Sequence, residues 1–137
     1  MIISNADLVR TIMGTSVGIS FRLNRELQIG LYIATTGMEN LVIQQGEPFY
    51  IKLSNGETIE LKSLAEYKEE TFMAGTTKVH YLDPRYSVTI EDLKRIQKNN
   101  VSKARIVISG RNMEFEVKPK LLPDIASAIN CFMQEIQ

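Results

Sequence analysis

The chain of 137 residues has one cysteine, one histidine and no excess of charge of either sign. A single cysteine builds neither an internal disulfide framework nor a cysteine-based metal cage. Sixteen Lys and Arg balance sixteen Asp and Glu, so no net field draws the chain to nucleic acid or to an anionic membrane. No apolar run approaches the ~20 residues that a membrane-spanning helix needs. Gly14 and Gly18 form no phosphate loop, because the Lys-Ser/Thr ending and the strand–loop–helix context are missing. The segment from Met1 to Asp7 lacks the basic lead and apolar core of a secretory signal. A cytoplasmic location is therefore expected, or an extracytoplasmic one if a leader has been removed.

What is present has the composition of an ordinary globular domain, 44% apolar and 23% charged. The chain is long enough to bury a core as one domain over 1–137. Residues 1–14 read as a short N-terminal helix or a loosely ordered end. Ser4 can cap Asp7, Ile3 can pack on Leu8, and Val9, Ile12 and Met13 continue an apolar side that Gly14 ends. From Gly18 the period becomes two: Ile19, Phe21 and Leu23 point one way, as do Leu27, Ile29, Leu31 and Ile33. An odd-length loop, Asn24-Arg25-Glu26, keeps both sets on one face and pairs Phe21 with Ile29. Leu41 to Ile43 reads as a short strand.

Phe49 to Lys62 reads as a hairpin. A two-residue Asn55-Gly56 turn would set Ile51 against Glu60. A three-residue loop, Ser54-Asn55-Gly56, instead pairs Ile51 with Ile59 and Phe49 with Leu61, and gives Gly56 a left-handed conformation. Tyr67 to Met73 and Thr77 to Leu82 read as strands about Ala74-Gly75-Thr76, with Phe72, Val79 and Tyr81 inward. Asp83-Pro84 breaks the run.

The most legible stretch runs from Tyr86 to Val117. After a strand ending at Val88, Thr89 is placed to cap a helix over 90–98, with Glu91 and Asp92 in the first turn and Ile90, Leu93 and Ile96 on one side. Asn99 and Asn100 stop it, since Asn tolerates the left-handed conformation. The next hairpin, with Gly110-Arg111 as a type II′ turn, sets Ile108 opposite Met113, Ile106 opposite Phe115 and Ala104 opposite Val117. Its other face pairs Arg105 with Glu116 and Val107 with Glu114. The chain closes with an amphipathic helix over about 120–136, regular from near Pro123. Its stripe of Leu121, Leu122, Ile125, Ala128, Ile129, Phe132, Met133 and Ile136 must dock on a sheet face. The fold class expected is α+β: a mainly antiparallel β-sheet built from hairpins, with the helix at 90–98 and the carboxyl-terminal helix packed on the sheet.

The Phe49–Leu61 hairpin with its Leu53-Ser54-Asn55-Gly56-Glu57 turn, the stretches Tyr86–Leu93 and Val101–Ile106, and the closing helix together resemble small uncharacterised domains common in Bacteroidetes. The resemblance spans residues 16–135. It implies a bacterial protein of a group that usually looks exported, and brings no activity and no site residues with it.

Candidate chemistry is sparse. His80 lies in a strand ahead of Tyr81, Asp83 and Arg85. A general acid–base role needs a partner within reach and a cleft, and an ordinary strand histidine is the simpler reading. Cys131 falls at the flank of the helix stripe, where a semi-buried structural thiol is expected. Glu114 and Glu116 share a strand face, as glycosidase carboxylates can, but an arginine across the ladder makes them an ion-paired, solvated face. Arg22, Arg25 and Arg111 sit at hairpin ends, where basic residues are common without function.

No catalytic residues, cofactor or metal are expected from these motifs. The reading favoured is a non-enzymatic binding or interaction module for a protein, peptide or glycan, with homo-oligomers compatible and neither nucleic acid nor membrane as partner. One alternative is a small hydrolase-type enzyme using His80, Tyr81, Asp83 and Arg85. Another is a small-ligand carrier with an apolar cavity under the last helix.

Overall fold

In the computed structural model of the protein, residues 2–12 and 14–136 are described, the side chains of 9–12 excepted. Three long strands open the chain: β1 (Ile2–Ile12), β2 (Thr15–Asn24) and β3 (Glu26–Thr35). They are followed by β4 (Val42–Ile43), β5 (Pro48–Leu53), β6 (Thr58–Lys62), β7 (Tyr67–Lys68), β8 (Glu70–Ala74), β9 (Thr77–Leu82) and β10 (Arg85–Ser87). Helix α1 (Ile90–Lys98), the hairpin β11 (Val101–Ile108) and β12 (Arg111–Glu116), a 3-10 turn over Pro119–Leu121 and helix α2 (Leu122–Ile136) complete it. The fold is α+β and its strands pair antiparallel.

The largest sheet runs β1-β2-β3-β9-β8, with β10 also on β3; a second runs β12-β11-β5-β6; β4 and β7 form a small third. The sheets meet where the Phe49 and Tyr86 rings lie 5.2 Å apart and Ser63 bridges Tyr86. Helix α2 covers the inner face of β1 and β2, and α1 packs against α2. Buried residues from both large sheets and both helices form one continuous core.

Period-two alternation explains most of this. Phe21 pairs with Ile29, and Ile19, Phe21, Ile29, Leu31 and Ile33 are all buried. Arg25, with positive φ, is the one residue left outside that ladder. Ile51 pairs with Ile59 and Phe49 with Leu61, and Gly56 has φ +90°, as the three-residue loop requires. A Cβ at Gly56 meets nothing within 4 Å, so its cost is purely conformational. Gly56→Ala is expected to lower stability by about 1–2 kcal/mol, the penalty of a left-handed L-residue, measured by urea unfolding. Helix α1 spans Ile90–Lys98, and the Asp92 N–H donates to Thr89 Oγ1 at 3.1 Å.

Five expectations are corrected. The first concerns residues 1–14, which form neither a helix nor a loose end but strand β1, paired with β2 from Ile2↔Leu23 onward. The ladder satisfies backbone groups that a helix of two or three turns would hold only marginally. Ser4 and Ala6 lie opposite the buried Phe21 and Ile19, on the face that α2 covers, and Leu8 is 1% exposed. Met13, and the apolar side expected at Val9 and Ile12, lie outside the described residues.

The second correction is at the last hairpin. Ile106 faces Met113, Ala104 faces Phe115, Arg105 faces Glu114 and Lys103 faces Glu116. The register is thus displaced by two residues from the expected one. Its loop is Ser109-Gly110, with φ of +52° and +73°, the signs of a type I′ turn rather than II′. Ser109 is held in this conformation from outside the hairpin. Its N–H donates to Val42 O at 2.7 Å, its Oγ donates to Asn40 O and accepts from the Val42 N–H, both at 3.1 Å.

Third, the strand expected from Tyr67 to Met73 is divided at Glu69. The Glu69 N–H donates to Leu41 O at 3.0 Å while its carboxylate accepts the Leu41 N–H at 2.8 Å, so the chain passes from one sheet to another there. The fourth is the orientation of β8 and β9. Phe72 is 45% exposed, Val79 and Tyr81 are half-buried, and it is Leu82 that enters the core. Only His80, Tyr81 and Leu82 of β9 pair with β3, so the outer end of this hairpin extends beyond that ladder. Fifth, Asn99 ends α1 in an extended conformation, φ −126°, with its N–H on Arg95 O.

Candidate functional site

Strand alternation divides the His80 segment. Asp83 and Arg85 lie on the outer face of the large sheet with Tyr81, whereas His80 shares the inner side with the buried Leu82. The Nδ1 of His80 is bonded to Glu69 Oε2, and both side chains are largely covered. Burial works against the Glu69 carboxylate, but its hydrogen bonds with His80 and the Leu41 N–H outweigh this and hold it below the ordinary carboxylate range. His80 and Glu69 therefore fasten β9 to the Leu41 segment.

The outer face carries a different arrangement. Its residues are the partners of the greasy ones in the alternation: Asn5 and Asp7 on β1, Gly18, Ser20 and Arg22 on β2, Gly30 and Tyr32 on β3. A groove of about 810 Å³ lies here and extends past the β1 edge to Asp124, Ser127, Ala128 and Cys131 of α2. Gly18 forms part of its floor, and a Cβ there meets only ordinary contacts, the nearest Ala6 O at 3.6 Å. Gly30 is different: a Cβ would come within 2.5 Å of Ser20 Oγ and 3.3 Å of both Arg22 Nε and Arg85 Cδ. Its bare backbone is what lets two arginine side chains lie across the sheet.

The two guanidinium groups are held differently. Arg85 grips Asp83, with Nη1 on Oδ1, Nη2 on Oδ2 at 3.3 Å and Nη1 also on the Asp83 carbonyl at 3.0 Å. Arg22 donates from Nε to Ser20 Oγ at 3.0 Å, and no carboxylate among the described residues pairs directly with it. Burial and then the neighbouring Arg85 lower the Arg22 pKa, with Asp83 opposing them.

Beside the groove stands a row of aromatics. The rings of Tyr32 and Tyr81 stack at 5.5 Å between centroids, and Phe72 tilts against Tyr81 at 5.7 Å. Tyr32 is 43% exposed and Phe72 45%. Tyr81 donates to Glu70 Oε2 at 2.5 Å; this bond, then burial, raises its pKa, whereas burial and then Asp83 raise that of Tyr32.

The other candidates stand apart. Glu114 and Glu116 are exposed; Glu116 pairs with Lys103 at 3.7 Å rather than with Arg105, which lies 4.4 Å over the Tyr50 ring. Arg25 and Arg111 are exposed at their turns. Cys131 is exposed at the groove's far end, not semi-buried, because it falls outside the α2 stripe of Ala128, Ile129, Phe132 and Met133. Arg22 belongs to the groove, as do Asn5, Ser20 and Tyr32, to which the sequence motifs assign no role. The signal was there: even-numbered positions from 18 to 32 are small, polar or aromatic, opposite an odd-numbered apolar set.

Among the described residues, no helix is long and apolar enough to cross a membrane. Comparison with known proteins finds no matching family model, no significantly similar curated protein and no significantly similar solved structure. The Bacteroidetes resemblance therefore rests on its sequence motifs alone.

Proposed function

We propose that this chain is a non-enzymatic binding module that takes a peptide or glycan on the outer face of its large sheet. The observation that carries this reading is the groove over Gly18, Ser20 and Arg22, adjoining the aromatic row of Tyr32, Tyr81 and Phe72. Concave sites that combine an apolar wall with a few fixed polar groups are where ligands bind, and aromatic side chains supply large contact area at low entropic cost. The hydrolase alternative gains little, since His80 is on the opposite side of the sheet from Asp83 and Arg85. The apolar-carrier alternative also gains little, since the groove is open and polar groups line much of it.

The test is binding to an array of oligosaccharides and peptides by the wild type, Gly18→Val and Tyr32→Ala. The valine should project into the groove, and since its Cβ meets only ordinary contacts the sheet is expected to stay folded. At least a tenfold loss of the captured partner in both variants, with Gly18→Val melting near the wild-type temperature, is expected. Binding undiminished in both variants would show that the partner sits elsewhere.

A further inference from the structure

At the groove and the Arg85 side chain beside it, one pattern of charge selects among ligands. Arg85 is neutralised by Asp83 through two parallel contacts, and that carboxylate has little reason to leave it. Arg22 keeps its Nη groups clear of any direct carboxylate contact among the described residues. It is already partly desolvated and lies beside a second cation, so an arriving anion relieves repulsion as well as forming hydrogen bonds. Arg22 offers one such charge.

The surroundings argue against a densely anionic ligand. Asp83 stands beside the guanidinium groups, and Asp7 and Asp124 also line the groove, so the dense charge of a phosphate would be repelled, whereas Asp83 can accept bonds from neutral hydroxyls. Asn5 and Ser20 add an amide and a hydroxyl, each able to donate and accept. Tyr32 adds a half-exposed ring with a polar tip, suited to a ligand with one apolar face and a hydroxylated rim.

Resting on the reading of this face as the binding surface, we infer that the groove takes an acidic saccharide: a sugar ring against Tyr32, its carboxylate on Arg22, and its hydroxyls on Asn5, Ser20 and Asp83. A phosphorylated or acidic peptide is the competing source of negative charge. It lacks the ring of hydroxyls that the carboxylate and amide acceptors would satisfy.

The experiment is a titration of the isotope-labelled protein, followed through its backbone amide resonances. The probes are a tetrasaccharide of alternating glucuronate and N-acetylglucosamine, the same tetrasaccharide with its carboxylates reduced to alcohols, an acidic phosphopeptide and inorganic phosphate. The expected result is saturable shifts at Gly18, Ser20 and Gly30 with the acidic tetrasaccharide. Affinity should be at least tenfold weaker for the reduced sugar and for Arg22→Ala, and partly restored in Arg22→Lys. Equal binding of the reduced sugar at the same amides overturns the acidic assignment while leaving this face as the binding surface. Phosphate or phosphopeptide binding as tightly as the tetrasaccharide overturns the saccharide assignment. If neither sugar shifts these amides the inference is wrong, and the array result with Gly18→Val then decides separately whether the face binds anything.

Discussion

Phe132→Ala is expected to lower the stability of the protein by about 3–5 kcal/mol, the range for removing a fully buried phenylalanine. Phe132 is 0% exposed, and its ring centroid lies 6.2 Å from that of Phe21 on β2. It therefore helps fix α2 to the sheet, together with the buried Ile125, Ile129 and Met133. Part of the loss is transfer free energy and part is the cavity left against Phe21, which neighbouring side chains refill incompletely. Domains of this size have roughly 5–15 kcal/mol in total, so the variant should unfold at a much lower urea concentration. A change below about 1 kcal/mol would mean that α2 does not dock on β1 and β2 in solution. Ile125→Ala, about two helical turns away, provides a second reading of the same contact, since Ile125 is also buried.

The second large effect is alkaline. Tyr86 is fully buried, and its hydroxyl makes no hydrogen bond within the described residues. Burial first, then Tyr67 and Glu47 nearby, push its pKa far above the ordinary tyrosine value. In the unfolded chain the same group ionises near pH 10. Below that pH it is protonated in both states, and its contribution to stability is complete. As pH rises further the unfolded state releases its proton while the folded state retains it, so stability falls by about 1.4 kcal/mol per pH unit. Between about pH 10 and pH 12 this amounts to roughly 2–3 kcal/mol. Tyr86→Phe removes that term, because there is no proton left to lose. At neutral pH the variant should lie within about 1 kcal/mol of the wild type or above it, since the hydroxyl lost had no partner in the chain. Urea unfolding of both proteins at several pH values separates this from the other tyrosines, which titrate in both. Parallel stability curves above pH 10 would refute the buried, unpartnered hydroxyl.

Local physics was enough for part of the fold. The three-residue loop at Ser54 to Gly56 follows from the pairing of Ile51 with Ile59, and the helix at 90–98 from Thr89 and the spacing of Leu93 and Ile96. Such features depend on neighbours in the chain, so their cause is written in the chain. Residues 1–14 read as a helix or loose end because Ser4, Asn5 and Asp7 suit a helix start when considered alone, whereas 2–12 form a strand. The reason that they form a strand is β2, together with the helix that covers Ala6 and Leu8.

The groove was half legible. Its polar residues occupy the alternate positions of strands whose apolar positions form the core, yet alternation marks that face only as exposed. Arg22, Arg85 and Asp83 come together because Arg85 pairs with Gly30 across β10 and β3, a pairing between residues distant in the sequence.

The amino-acid sequence alone determined which stretches alternate, which turn helical, and where Gly56 and Thr89 fix a loop and a cap. Tertiary structure decided the register of the last hairpin. A displacement of two residues returns every side chain to the same face, so the period-two pattern cannot tell the two registers apart. The choice fell to Ser109, whose left-handed backbone is unfavourable by itself and is held by hydrogen bonds to Asn40 and Val42, 69 and 67 residues away.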